Sequence, residues 1–238
     1  MEQFSMTPAS AFGAAGAVSA ERITAFLRKV YGWMAIGLGV TAVVALAVAA
    51  SPALTQALVT NRILFYGLMI GELGLVFYLS ARVQKLAAST AAALFLVYSA
   101  LNGVTLSLIF LAYTGTSIAS TFVITAGAFG ALALYGTATK RSLAGVGQFA
   151  FMGLIGVILA SLVGMFWHSA GLQFGISIVG VIVFTALTAW DAQKLKIMAA
   201  TVPEASYGSY SVVGALALYL DFINLFLFLL RFFGGRRD

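Results

Sequence analysis

The chain has 238 residues, 62% of them hydrophobic and only 8% charged, with no cysteine and a formal net charge of +6. An ordinary soluble domain is about a quarter charged, so this composition excludes one, and the length fits about seven membrane spans joined by short loops. Disulfides and thiolate metal sites are excluded, and the positive balance reads as basic loops on one side of a membrane rather than as a nucleic-acid surface.

Residues 1–20 are small and polar, with Glu2 where a secretory signal would carry a cation. They read as a disordered tail, which leaves 21–238 as a single seven-helix transmembrane domain. Glu21 to Val30 is amphipathic, with Ile23, Phe26, Leu27 and Val30 at helical spacing. An interfacial lead-in and a plain basic flank both satisfy that pattern.

The predicted spans follow in order. The first is Tyr31–Ala50, ended by Ser51-Pro52. The second, Ile63–Ala81, has Glu72 at its midpoint, and the third, Ala91–Ala112, contains Asn102, Thr105 and Ser107. The fourth and fifth are Ile118–Ala138 and Phe149–Trp167, and the single histidine, His168, falls in the loop beyond. The sixth is Leu172–Trp190, with Asp191 at its end, and Pro203 and Gly208 mark the longest late loop. The seventh is Ser211–Phe233, which carries Asp221 and Asn224 near its middle.

Basic residues set the orientation. With the N-terminus inside, the inner segments hold Arg22, Arg28, Lys29, Arg82, Lys85, Lys140, Arg141, Lys194 and Lys196. The outer ones hold Arg62, Arg231, Arg236 and Arg237, which is nine against four. A re-entrant last segment would move its three arginines inward, but such a segment needs its backbone buried in protein. The adopted reading is a full seventh span and a multi-pass membrane protein with a cytoplasmic N-terminus.

Three carboxylates inside or beside spans carry the chemistry: Glu72, Asp191 and Asp221. A carboxylate at bilayer depth costs about 2.5–3.5 kcal/mol even on lenient insertion scales, and such residues face the bundle interior and mark ion or proton paths. Asp221 and Asn224 are three residues apart and share a helix face, with the small residues Gly214, Ala215 and Ala217 on or beside it. Glu72 is either functional or a packing residue bonded to Asn102. Asp191, taken alone, is equally a solvated interfacial aspartate beside Lys194.

If spans two and six are neighbours, Arg82 and Asp191 finish at similar depth and pair. If span seven starts deep, Asp221 meets Asp191, and the two carboxylates share one proton. Carboxylate oxygens also suit calcium, and a few of them near a narrow path select cations. Span seven has no lysine for a Schiff base, Leu218-Tyr219-Leu220 before Asp221 lacks the glycine of intramembrane aspartyl proteases, and no phosphate-binding GxxxxGK[ST] loop occurs. The expectation is therefore a non-enzyme without a resident cofactor.

Particular stretches carry a family resemblance. YLDFINLFLFLLRFFG (Tyr219 to Gly234) resembles the C-terminal signature of the Bax inhibitor-1 family of seven-span membrane proteins. FTALTAWDAQKLK (Phe184 to Lys196) resembles its span-six motif. GELGLVFYLSAR (Gly71 to Arg82), YSALNGVTLS (Tyr98 to Ser107) and YGTATKR (Tyr135 to Arg141) are similar to the bacterial branch. The likeness runs from about Ala20 to Gly235.

The resemblance implies an all-α membrane protein with six helices packed around a central C-terminal seventh. It also implies a pH-sensitive calcium leak governed by an aspartate pair, which maps onto Asp191 and Asp221, the tentative calcium ligands. The family's span-two arginine, which latches the span-six aspartate, falls at Arg82 or next to it at Val83, and its span-two glutamate falls at Glu72. The expected function is thus a proton-regulated cation leak whose pathway uses Asp191, Asp221, Glu72, Arg82, Asn102 and Asn224, with calcium ions and protons as its partners in the bilayer. Two other readings stay open: regulation of a membrane-bound protease through residues 1–20, and proton-coupled carriage of a small solute.

Overall fold

The structure, a computed structural model, describes residues 8–167 and 169–235. His168, residues 1–7 of the expected tail, and Arg236 and Arg237 lie outside the described residues. The described elements, in order, are α1 (Pro8–Ala49), α2 (Pro52–Thr60), α3 (Arg62–Arg82), α4 (Ala88–Leu106), α5 (Ile109–Ala112), α6 (Gly115–Ala138), α7 (Ala144–Phe166), α8 (Ala170–Thr201), a 3₁₀ turn (Glu204–Ser206) and α9 (Tyr207–Phe233).

Local chemistry sets several of these boundaries. Ser51-Pro52 breaks α1 from α2, with proline in the first turn where its missing N–H is not needed. Asn61 caps α3 by accepting from the Leu64 N–H at 3.0 Å, and Thr114 and Ser169 cap α6 and α8 in the same way. The third span breaks between α4 and α5. There the Ser107 N–H lies within reach of both the Gly103 and Val104 carbonyls, and the Ser107 hydroxyl donates to the Val104 carbonyl at 2.7 Å. A side chain competing with the backbone ladder tightens the helix at that point.

Among the described residues, seven helical segments are long and apolar enough to cross a membrane. The last differs from the rest: 67% of its most apolar window is buried inside the protein, against 6–33% for the other six. It touches α1, α4, α6 and α8, and grazes α3. The outer segments α3 and α7 pack chiefly behind α4 and α8. This is the arrangement of six spans around a central seventh. The central helix runs 27 residues without a break, about 40 Å, which is enough to cross a hydrocarbon core of about 30 Å.

Two apolar clusters hold the bundle. One joins Phe26 and Val30 of α1, Phe95 and Tyr98 of α4, Leu195 of α8 and much of α9. The other joins α7, α8 and the C-terminal half of α9 through Val157, Phe184, Leu187, Leu225 and Leu229. Without a hydrophobic drive between helices in lipid, close backbone approach matters more. A side chain at Gly103 would meet the Thr41 carbonyl oxygen of α1 at 2.7 Å, and one at Gly136 would collide with the Ala189 backbone of α8.

The ends are tied as well. Arg22 donates to the Tyr207 hydroxyl and to the Val202 carbonyl, fastening α1 to the α8–α9 turn. At the other end, the Gly235 N–H donates to the Ser117 hydroxyl at 2.9 Å, docking the end of α9 on α6.

Candidate functional site

The expected end of span six at Trp190 is corrected by the structure, since α8 continues to Thr201. Asp191 therefore stands ten residues inside the helix, and Asp221 stands fourteen residues into the antiparallel α9. The difference of four residues is about 6 Å of rise, so the two carboxylates stand at nearly the same depth. They are close enough for their charges to interact. The charge of Lys194, one turn along α8 from Asp191 with its ammonium 5.1 Å from the Trp190 ring, acts on both at a distance, with no ion pair to either among the described residues. The reason for the extension is that Lys194 and Lys196 do not end a helix. Long cationic side chains bury their stems and carry the charge to the interface.

The two aspartates differ in surroundings. Asp221 is buried, and its Oδ2 has no hydrogen-bond partner. Asp191 is half-buried and lines a cavity of about 300 Å³ bounded by Ser80, Val83, Lys194, Tyr210 and Gly214. A buried carboxylate oxygen without a partner is rare in stable proteins, where such groups are paired or bonded.

Arg82 does not join this pair. It is exposed, its guanidinium lies 6.0 Å from the Tyr78 ring, and among the described residues it makes no ion pair with Asp191. The neighbouring Val83 lines the Asp191 cavity instead. One residue on a helix is a turn of about 100°, which is enough to send Arg82 to a different face.

A second polar group lies on another side of α9. Glu72 of α3 accepts from the Asn102 amide at 3.3 Å and from the Thr105 hydroxyl at 3.0 Å, both on α4. The Tyr219 hydroxyl of α9 donates to Asn102 Oδ1 at 3.0 Å. Its single proton is thereby committed. Thr41 of α1 must then be the donor in its 2.6 Å contact with Tyr219, sharing that proton with the Ser99 carbonyl at 2.8 Å. A directed chain thus runs from Thr41 through Tyr219 and Asn102 to Glu72, across α1, α9, α4 and α3.

The structure brings Glu72 together with Asn102, and Asp191 with Asp221, and leaves Asn224 apart from both. The Asn224 amide donates to the Leu220 carbonyl of its own helix at 2.8 Å. Thr41 and Tyr219 complete this hydrogen-bond chain, and the sequence does not single them out. The only signal for them is a hydroxyl on an otherwise apolar span, which by itself is compatible with a side chain bonded to its own helix. Among the described residues no three His, Cys, Asp or Glu side chains come together as a metal site. Calcium at Asp191 and Asp221 would therefore meet two carboxylates, fewer oxygens than its usual six to eight.

Fold and site together define a polytopic helical membrane protein whose central helix carries a buried acidic residue facing a second one. Comparison with known proteins specifies the class further. The family described as inhibitor of apoptosis-promoting Bax1 matches residues 23–238, and the chain belongs to this Bax inhibitor-1 family. It is 54% identical over 215 residues to the inner membrane protein YbhL of Escherichia coli K12, covering 89% of this chain and 92% of that one. It is 47% identical over 215 residues to an uncharacterized protein of Borreliella burgdorferi (90% and 93% covered). A further uncharacterized protein, from Rickettsia prowazekii, is 43% identical over 222 residues, with 92% of each chain covered.

Proposed function

We propose that the protein is a proton-regulated cation leak of the bacterial inner membrane, with its N-terminus on the cytoplasmic side and calcium as the cargo. The observation that carries this reading is Asp221. Its carboxylate lies buried on the central helix beside Asp191, with one oxygen unpartnered. A purely structural carboxylate at that depth would be paired, and intramembrane ionisable residues mark ion and proton paths. Two facing carboxylates hold either a proton or, in passing, a divalent cation, and this competition supplies the pH control. The cavity beside Asp191 offers an approach from the end of the bundle where the basic loops gather.

In this mechanism the cation that restrains Asp191 is Lys194 rather than Arg82. Lys194 lies over the Trp190 ring at 5.1 Å and lines the cavity that holds Asp191, whereas Arg82 lies 6.0 Å from the Tyr78 ring and does not line that cavity. Protonation of the pair would weaken that attraction and free α8 to shift against α9.

The test is calcium flux into proteoliposomes between about pH 5.5 and 8, a range that brackets carboxylates sharing a proton, for wild type and Asp221→Asn. A pH-dependent flux that the variant alters supports the reading. Folded protein with no flux at any pH would end it and leave regulation of a membrane-bound protease, with residues 1–20 as the contact to delete. Saturable transport of a small solute that stops in Glu72→Gln would instead favour a proton-coupled carrier, for which the Glu72–Asn102–Tyr219 chain is the natural relay.

A further inference from the structure

The turn between α6 and α7, Thr139 to Leu143, belongs to none of the chemistry above, yet it is unusually well fixed. Gln193 of α8 holds it with both ends of its amide: Oε1 accepts from the Leu143 N–H and Nε2 donates to the Arg141 carbonyl, each at 2.8 Å. One turn further along α8, Lys196 Nζ donates to the Thr137 carbonyl at 2.6 Å. The backbone is thus fastened while the Lys140 and Arg141 side chains stay exposed.

Between this turn, α8 and α1 lies a cavity of about 600 Å³ that Lys140, Arg141 and Lys196 share. No carboxylate lines it, and among the described residues none comes within ion-pair distance of these three cations. The rest of the lining is mixed: Thr139, Ser142, Gln193 and Thr201 are polar, and an apolar side is formed by Ile23 of α1 and by Ile197 and Ala200 of α8, with Ile197 60% exposed. The volume lies within the usual range of about 300–1,000 Å³ for small-molecule sites.

Three uncompensated cations on a braced frame beside an apolar wall suit an amphipathic anion. The cations would meet a phosphate, and Ile23 and Ile197 would meet the start of an acyl chain. A free phosphate explains only the first half of that lining. Basic pockets between spans at the membrane surface are suited to anionic headgroups. We infer that this cavity is a binding site for the phosphate headgroup of an anionic phospholipid. Binding there would hold the α6–α7 turn and the end of α8 in place, independently of any ion path.

The experiment uses full-length protein in nanodiscs of phosphatidylcholine with phosphatidylglycerol as the anionic probe, and counts retained lipids by native mass spectrometry. Wild type should retain phosphatidylglycerol preferentially. Lys140→Gln/Arg141→Gln removes two side chains that hold no other part of the fold. It should cut the preference by about fivefold for each cation lost. Lys196→Gln is a second, independent variant and should cut it similarly. Lys85→Gln removes a cation of the α3–α4 turn that lies outside the cavity, and it should leave the preference intact. Three results overturn the inference: no preference in wild type, an undiminished preference in the double variant, or an equal loss in Lys85→Gln, which would mean diffuse surface attraction. Displacement of the lipid by excess inorganic phosphate would also overturn it, assigning the cations to a soluble anion.

Discussion

Tyr219 and Asp221 sit two residues apart on α9 and serve different partners: the Tyr219 hydroxyl donates to Asn102 on α4, while the Asp221 carboxylate lies within electrostatic range of Asp191 on α8. Side chains two apart on a helix point about 200° from one another. The central helix therefore carries two polar contacts on nearly opposite sides, and any rotation or slide of α9 disturbs both.

Tyr219→Phe tests the first of these contacts. The ring is wholly buried and packs edge-on against Phe95 and Tyr98, contacts that phenylalanine keeps. What is lost is the donor to Asn102 Oδ1 and the acceptor for Thr41. Thr41 still has the Ser99 carbonyl, so one buried acceptor is orphaned, at a cost of about 1–3 kcal/mol. Thermal unfolding in detergent should show the loss, and Thr41→Val should show a smaller one.

Glu72→Gln tests the polarity of the chain. An amide accepts through only one of its two ends, so its NH₂ is turned either on the Thr105 hydroxyl or on the Asn102 amide. Thr105 has an alternative acceptor in the Asn102 carbonyl at 3.0 Å, so it tolerates the change, whereas a flip of Asn102 would take Oδ1 away from Tyr219. The double variant Glu72→Gln/Tyr219→Phe should therefore be non-additive, with a coupling energy of about 0.5–3 kcal/mol in a thermodynamic cycle. Additive losses would show that the two residues do not share one network.

Gly136 and Gly130 lie six residues apart on α6 and should respond oppositely to alanine. A methyl group at Gly136 meets the Ala189 backbone, which cannot rotate away, so α6 and α8 must separate at a cost of about 1–3 kcal/mol. At Gly130 there is nothing within 4 Å, and alanine should gain up to about 1 kcal/mol from helix propensity alone. Because Ala189 is two residues from Asp191, Gly136→Ala should also alter flux, which Gly130→Ala should leave unchanged. Melting temperatures and flux on the same preparations separate the two effects.

How much of this could be read from sequence depends on the residue. Glu72, Asp191 and Asp221 stood out because an ionisable group in an apolar span is costly wherever it lies. The pairing of Glu72 with Asn102 was one of two readings, and the structure makes that hydrogen bond. The depth of Asp191 is not legible in the sequence, because Asp191, Lys194 and Lys196 read as a span end while the helix runs on to Thr201. The side chain that faces Asp191 turned on a single residue of register, Arg82 or Val83, and hydropathy along a uniformly apolar helix carries no rotational phase. Tyr219 and Thr41 stayed hidden because their partners come from three different helices. The short α2 gives no span signal, since nothing in Pro52–Thr60 is long enough to cross a bilayer.

The last prediction separates the two cations near the acidic pair. If Lys194 is the charge that restrains Asp191, then Lys194→Gln leaves two facing carboxylates with no cation close by. A proton then binds there more readily, so the midpoint of the flux-against-pH curve should move to higher pH. Arg82→Gln removes a charge that lies outside the cavity lined by Asp191 and Lys194, and its midpoint should match wild type. Asp221→Asn goes further and removes the pair itself, so its flux should lose most of its pH response. That variant should also be no less stable than wild type, because it exchanges a buried, unpartnered carboxylate oxygen for a neutral amide. If Arg82→Gln moves the midpoint and Lys194→Gln does not, the latch lies on α3, and the orientation of Arg82 over Tyr78 belongs to a state other than the one that senses pH.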